Sequence, residues 1–321
     1  MLYYLVIRYF EVKKNFMKKI FIDANIYVNF FDSNQSRLKK LLGSLVEIKD
    51  VIFISSQIAD EVNRNKLDAA QRSLGNYLNN LEDIKKNNKP ITLPEHLEIE
   101  STTLKTWNDE KNKIYEKISQ ENEKLYKQLE NIIKKMLNEI MRSSDNVSQT
   151  FDLLFKDAVV ASENEVKAGR DRREVGNPPG KPKDPLGDQI SWEQFLNCSR
   201  DSENIWIISK DKDYYTSFKS EIYLNSFLYK ELVSANTNSN PSIFCFESLA
   251  EGLDHFNKIS SQKISNLPQE EELKIIAKEE LSNSTSQIKP FSIDLPPGYP
   301  SPSAYFKYLQ SCDPFEWFVR D

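Results

Sequence analysis

Residues 18–26 read KKIFIDANI, an apolar run broken by Asp23 and followed by a helix-like stretch. A carboxylate placed where a buried strand ends contributes little to a core, because burying a charge is costly. Acids at the ends of strand-like or turn-like segments recur three times: QIADEVNRNK (57–66, with Glu61), PLGDQISWEQF (185–195, with Asp188) and IWIISKDKDYY (205–215, with Asp211 and Asp213). Continuous apolar runs at 18–22, 51–55 (VIFIS), 204–209 (NIWIIS) and 242–246 (SIFCF) are separated by helical patterns. That alternation predicts an α/β fold with a central parallel sheet flanked by helices. The helical patterns include a run from about Ile26 with Phe30, Leu38, Leu41, Leu42 and Leu45 on one side, and a closing helix, ESLAEGLDHF, after the last strand.

Composition narrows the chemistry. The chain has 321 residues, 39% hydrophobic and 28% charged, and no apolar run long enough to span a bilayer. MLYYLVIRYFEVKK at the start is short, is interrupted by Arg8 and lacks a small-residue cleavage site, so it does not read as a signal peptide. Met17 stands directly before the first strand, and residues 1–16 read as an extension. Three cysteines without CxxC spacing fit a reducing, cytoplasmic setting. The two histidines, His96 and His255, sit in no catalytic motif and read as surface or helix-packing residues. A net charge of −5 argues against bulk coating of nucleic acid but leaves room for a local basic strip.

Between the halves of the sheet, apolar residues recur from Leu104 to Ile140 with no glycine or proline. This predicts one long amphipathic helix, paired in a hairpin with residues 67–86 as a layer on the sheet, or alternatively serving as a dimerising coiled coil. Residues 169–187 read as a basic Gly/Pro-rich loop, and 259–300 as a linker or poorly packed tail with one short helix near 269–281. The aromatic-rich end (Tyr305, Phe306, Tyr308, Phe315, Trp317, Phe318) reads as a docking element for the chain's own body or for a partner. The expected layout is therefore an extension (1–16), a catalytic domain (17–66 and 170–257), a helical insertion (67–169) and a partly irregular C-terminal tail (258–321).

Each acid alone could be a helix cap, a turn residue or a solvated side chain. Trp192, one turn after Asp188, could wall a pocket or fill the core. Taken together, acids at strand ends and helix starts of one sheet make an oxygen-rich site suited to Mg²⁺ or Mn²⁺. A phosphatase-type reading with Asp23 as nucleophile lacks a second acid at Asn25 and a phosphate-cradling glycine loop.

The four motifs in this order resemble a PIN domain, the metal-dependent nuclease fold shared by toxin ribonucleases and related to flap endonucleases. The resemblance rests on Asp23-Ala24-Asn25 after the first strand, Glu61 in an early helix, Asp188 at the start of a later one, and Ser209-Lys210-Asp211-Lys212-Asp213-Tyr214 after a strand. NPPGKPKDPLGDQISW followed by SKDKDY is similar to a bacterial PIN-like subgroup with a Pro-rich loop and a GDxxxW motif. The likeness covers roughly residues 18–66 and 170–257, and the gap between Glu61 and Asp188 is far longer than in minimal PIN domains. It implies Asp23, Glu61, Asp188 and Asp211 as the acidic metal cluster, with Asp213 auxiliary and Asp60 an alternative to Glu61. It further implies Asn25 and Ser209 as polar supports near the metal or the phosphate. Arg170, Arg172, Arg173, Lys181 and Lys183, with Lys210 and Lys212, would hold substrate phosphates. The implied activity is endonucleolytic: RNA cleavage as a toxin or defence effector, or cleavage of DNA single strands or flaps. An inactive binding module, or a regulatory partner or second copy held through the long helix or the aromatic tail, is a further possibility.

Overall fold

The computed structural model describes residues 18–32, 37–87, 101–180, 186–219, 221–237 and 240–282. The readings of the 1–16 extension, His96, Lys181, Lys183 and the aromatic end lie outside the described residues. Of the two compact units of the chain, residues 1–286 and 287–321, the description concerns the first.

Four parallel strands form the central sheet: β1 (Lys18–Ile22), β2 (Ile52–Phe53), β3 (Asn204–Ile208) and, from the end of the fold, SIFCF at Ser242–Phe246. A separate antiparallel hairpin, β4 (Tyr215–Phe218) with β5 (Glu221–Leu224), follows β3 directly, so the SIFCF strand is β6. The sheet order is β2-β1-β3-β6. Ile20, Phe21, Ile22 and Ile205 through Ile208 are fully buried, as expected of parallel strands covered on both faces. The short β2 is extended by a parallel bridge from Ser55 to Val159, with Val159 N–H donating to the Ile54 carbonyl at 2.8 Å.

Ten α-helices occur among the described residues. After β1 come α1 (Ala24–Asp32) and, beyond a 3-10 turn (Leu38–Leu41), α2 (Leu42–Glu47). After β2, α3 (Ser56–Asn87) and α4 (Ser101–Met141) pack together, bridged by Lys85–Glu123 and by the Tyr126 hydroxyl donating to Glu82. This is the expected helical hairpin, except that α3 runs unbroken through residues 66 and 67. α5 (Asn146–Phe155), α6 (Glu163–Glu174) and α7 (Gly187–Cys198) lead to β3. α8 (Ser226–Ala235) precedes β6, and α9 (Leu249–Ile259) and α10 (Glu270–Ser282) follow it.

Two expectations need correction. Residues 169–174, read as loop, are the last turns of α6, which begins at a capping box in which Ser162 and Glu165 bond each other's backbone amides. Residues 260–282 are packed rather than linker-like, although the short helix expected near 269–281 is present as α10. Leu273, Ile276 and Ala277 of α10 are buried against α9, and Glu47 accepts from the Ser265 and Asn266 amides. Glu280 caps α9, accepting from Ser248 Oγ and from the Leu249 and Ala250 amides.

Among the described residues no helix is long and apolar enough to cross a membrane.

Candidate active site

In the order β2-β1-β3-β6 the chain steps from β1 to one side and later to the other, so β1 and β3 flank the point where the winding reverses. In open α/β sheets, ligands bind beyond the strand C-termini at that point. Asp23 follows β1, and the Ser209–Asp211 turn follows β3. The two ends are joined where the Asp23 amide donates to the Ile208 carbonyl at 3.0 Å.

Asp23 is buried and held by three donors. The Ala24 amide reaches Oδ1 at 2.7 Å; Asn25 Nδ2 and Ser209 Oγ reach Oδ2, each at 2.6 Å. Its carboxyl is pushed up to about 7, by burial first. The negative charges of Glu61 and Asp211 add to the rise, and the Ser209 and Ala24 bonds oppose it. Ser209 also accepts from the Asp211 amide at 3.0 Å, and Asn25 Oδ1 from the Lys210 amide at 3.3 Å. One small polar network therefore positions both strand-end acids, with Asn25 and Ser209 as its centre.

Glu61 and Asp188 arrive from the helical side. Ser55 Oγ lies 2.7 Å from Ser191 Oγ and accepts from the Ile58 amide at 3.1 Å, fixing the start of α3 against α7. Glu61, on the second turn of α3, thereby faces the N-terminus of α7: a Cβ on Gly187 would stand 3.8 Å from Glu61 Oε2. Burial raises the Glu61 carboxyl, and nearby Arg64 opposes the rise. Asp188 lies in the first turn of α7, where the helix dipole favours a negative charge. The alternative acid, Asp60, is exposed.

Tyr214 ties these parts together. Its ring is fully buried among Phe21 and Trp192, and its hydroxyl is enclosed without a hydrogen-bond partner. Burial raises this phenol far above its ordinary range, and the charges of Asp23, Asp188, Asp211 and Glu61 raise it further. All four expected carboxylates are thus near enough to act electrostatically on one buried hydroxyl. Tyr214 was absent from the expected site residues, although its place at the end of SKDKDY could have marked it. Asp213 is on the same turn, its amide donating to Asp211 Oδ1 at 3.1 Å.

The expected basic strip is less uniform. Arg172 is a correction: its side chain is 4% exposed, paired with Glu193 at 2.6 Å and Glu231 at 2.7 Å, and it also donates to the Pro178 carbonyl. Trp192 is core, its indole N–H donating to Glu231 at 2.9 Å, so the GDxxxW tryptophan anchors the same ion-pair group. Lys210 Nζ donates to the Glu280 carbonyl at 3.1 Å, and Lys212 Nζ to the Tyr215 hydroxyl at 2.8 Å. Arg170 is exposed and Arg173 half-buried. His255 accepts from the Trp206 indole at 3.1 Å and packs against Phe244, away from any role as a base at this site.

The donor types fit a hard divalent cation: carboxylates that follow β1 and β3 and stand in the first turns of α3 and α7, one of them an acid whose burial and neighbours disfavour its anion. Among the described residues, however, no three His, Cys, Asp or Glu side chains stand close enough to hold a metal ion as placed. Mutual repulsion keeps clustered carboxylates apart when no cation balances them.

A family model for a PIN like domain matches residues 19–222, helical insertion included. No curated protein and no solved structure gives a significant match. PIN-like domains are typically nucleases, generally use divalent metal ions and bind nucleic acid. The matched segment is more than half of the 321 residues, and the chain belongs to the PIN-like domain family.

Proposed function

We propose that this chain is a divalent-metal-dependent endonuclease that hydrolyses phosphodiester bonds, acting on RNA as a toxin or defence effector. The observation that carries the reading is the joining of Asp23 and Asp211 through Ser209 at the C-terminal ends of β1 and β3, with Glu61 set against Gly187 beside Asp188. Asp23, Asp188 and Asp211, with Glu61 and the auxiliary Asp213, would hold Mg²⁺ or Mn²⁺. Such an ion, when bound, supplies an acidified water and neutralises charge on the phosphate. Ser209 and Asn25 keep the Asp23 carboxylate oriented, and burial of that carboxylate excludes competing water. Lys212, two residues before Tyr214 in the site turn, would meet substrate phosphate together with exposed Arg170 and half-buried Arg173 of α6; Arg64, whose charge acts on Glu61, would join them. The catalytic domain is proposed to comprise residues 17–66 and 170–257, with 67–169 inserted.

A second reading, an inactive PIN-like binding module, is favoured by the absence of a ready cluster of three ligands among the described residues. Labelled RNA and DNA panels incubated with Mn²⁺ separate these readings. RNA cleavage lost in Asp23→Asn and Asp188→Asn is expected. Cleavage of single-stranded or flap DNA alone would move the substrate to DNA, and undiminished activity in both variants would remove the acids from the mechanism.

A further inference from the structure

Lys210 stands between two acid-site residues, Ser209 and Asp211, yet its ammonium is committed within the chain. Lys210 Nζ donates to the Glu280 carbonyl at 3.1 Å, in the last turn of α10. Carbonyls in that turn have no partner within their own helix, and the helix dipole favours a cation beside them. The carboxylate charges that act on this ammonium are those of Glu280, Glu247 and Asp32, none of them in the acid site. Lys212, two residues on, has a side chain 61% exposed and is the better phosphate cation of the same turn.

The backbone of Lys210 serves the acids instead. Its amide donates to Asn25 Oδ1 at 3.3 Å, and Asn25 Nδ2 donates to Asp23 Oδ2 at 2.6 Å. Ser209 Oγ donates to Asp23 and accepts from the Asp211 amide. At the other end, Glu280 is 1% exposed, and its carboxylate accepts from Ser248 Oγ and from the Leu249 and Ala250 amides. The turn of α10 that receives Lys210 is therefore fixed to the start of α9, while Leu273, Ile276 and Ala277 bury the body of α10. A lysine held at both ends fixes the backbone between them, whereas a phosphate ligand needs its ammonium available. We propose that Lys210 is a positioning residue rather than a phosphate ligand. Its bond to the Glu280 carbonyl ties the acid-bearing turn 209–211 to α10, which lies beyond residues 19–222 and so becomes a working part of the site. The catalytic consequence rests on the nuclease reading; the tie itself does not.

Three variants test it. Lys210→Met keeps the length of the stem and removes the donor, Lys210→Arg keeps a donor, and Glu280→Ala loosens the last turn of α10 without touching the acids. Amide exchange on the metal-free full chain reads the tie without any need for activity. Lys210→Met and Glu280→Ala are each expected to speed exchange of the 209–213 amides roughly tenfold, with Lys210→Arg close to wild type. Combined, the two losses add little, because they break one tie. If Glu280→Ala exchanges fast throughout the sheet, Lys210→Met and Lys210→Arg decide alone. In cleavage of the labelled RNA and DNA panels with Mn²⁺, Lys210→Met is expected to lower kcat roughly tenfold and leave KM within about twofold. The salt dependence of oligonucleotide binding in EDTA stays at the wild-type slope, whereas a lost phosphate contact would reduce it by about one. Wild-type exchange at 209–213 in Lys210→Met, or a raised KM and reduced salt slope with unchanged kcat, would overturn the proposal. Faster exchange in the variants of a chain that cleaves no nucleic acid would uphold the tie and overturn the nuclease reading.

Discussion

Asp23 and Tyr214 together set the electrostatics of the site, and each leads to a measurable consequence. Raising a carboxyl from its ordinary 3.8 to about 7 means that the folded protein binds this proton more tightly than the unfolded chain does. The contribution of Asp23 to stability is therefore present below about 4 and is lost as pH rises toward 7. Thermal melts across this window should show a decline in the wild type that is reduced in Asp23→Asn, and Mn²⁺ should offset it by favouring the anion. Tyr214→Phe removes a buried hydroxyl that has no hydrogen-bond partner. Metal-free stability should hold or rise by about 1 kcal/mol, because an unsatisfied buried donor is costly. Nuclease activity should nonetheless fall, since the charges of all four acids act on this hydroxyl. A loss of stability with unchanged activity would make Tyr214 a packing residue only.

At the scale of elements, the ends of β1 and β3 and the starts of α3 and α7 deliver the acids, and these were the most legible parts of the sequence. KKIFID and NIWIIS leave no ambiguity because each joins a buried apolar run to a polar stop. The α6 C-terminal turns were missed because Arg170, Arg172 and Arg173 precede a Gly/Pro-rich stretch, and their charge suggested solvent. The capping box from Ser162 to Glu165 was the available signal. Arg172 has a structural assignment through Glu193 and Glu231. Arg172→Ala should cost about 3 kcal/mol in urea unfolding, the range for removing one partner of a buried ion pair. An Arg172→Ala variant with wild-type stability and weakened nucleic-acid binding would return this residue to the phosphate strip. The packing of α10 was illegible for a different reason. Its polar, glutamate-rich sequence resembles a solvated tail, and only the tertiary structure reveals that Glu280 caps α9.

Over the whole molecule, the parallel sheet gathers residues from distant parts of the chain to one edge. Glu61 and Asp188 are separated by the entire hairpin insertion, yet the Ser55–Ser191 contact closes the distance. A reader of sequence alone could rank Glu61 only as provisional, because nothing local records that contact. The insertion leaves the sheet order intact, while α10 reaches back from beyond the matched segment to Lys210 in the site turn. The central claim, that these dispersed acids form one divalent-metal site, is tested most directly by calorimetric titration of Mn²⁺ into the purified full chain. The account predicts saturable binding to the wild type that disappears in Asp188→Asn and in Asp23→Asn while both variants stay folded. Equal Mn²⁺ binding by wild type and variants, or none by the wild type, would contradict it.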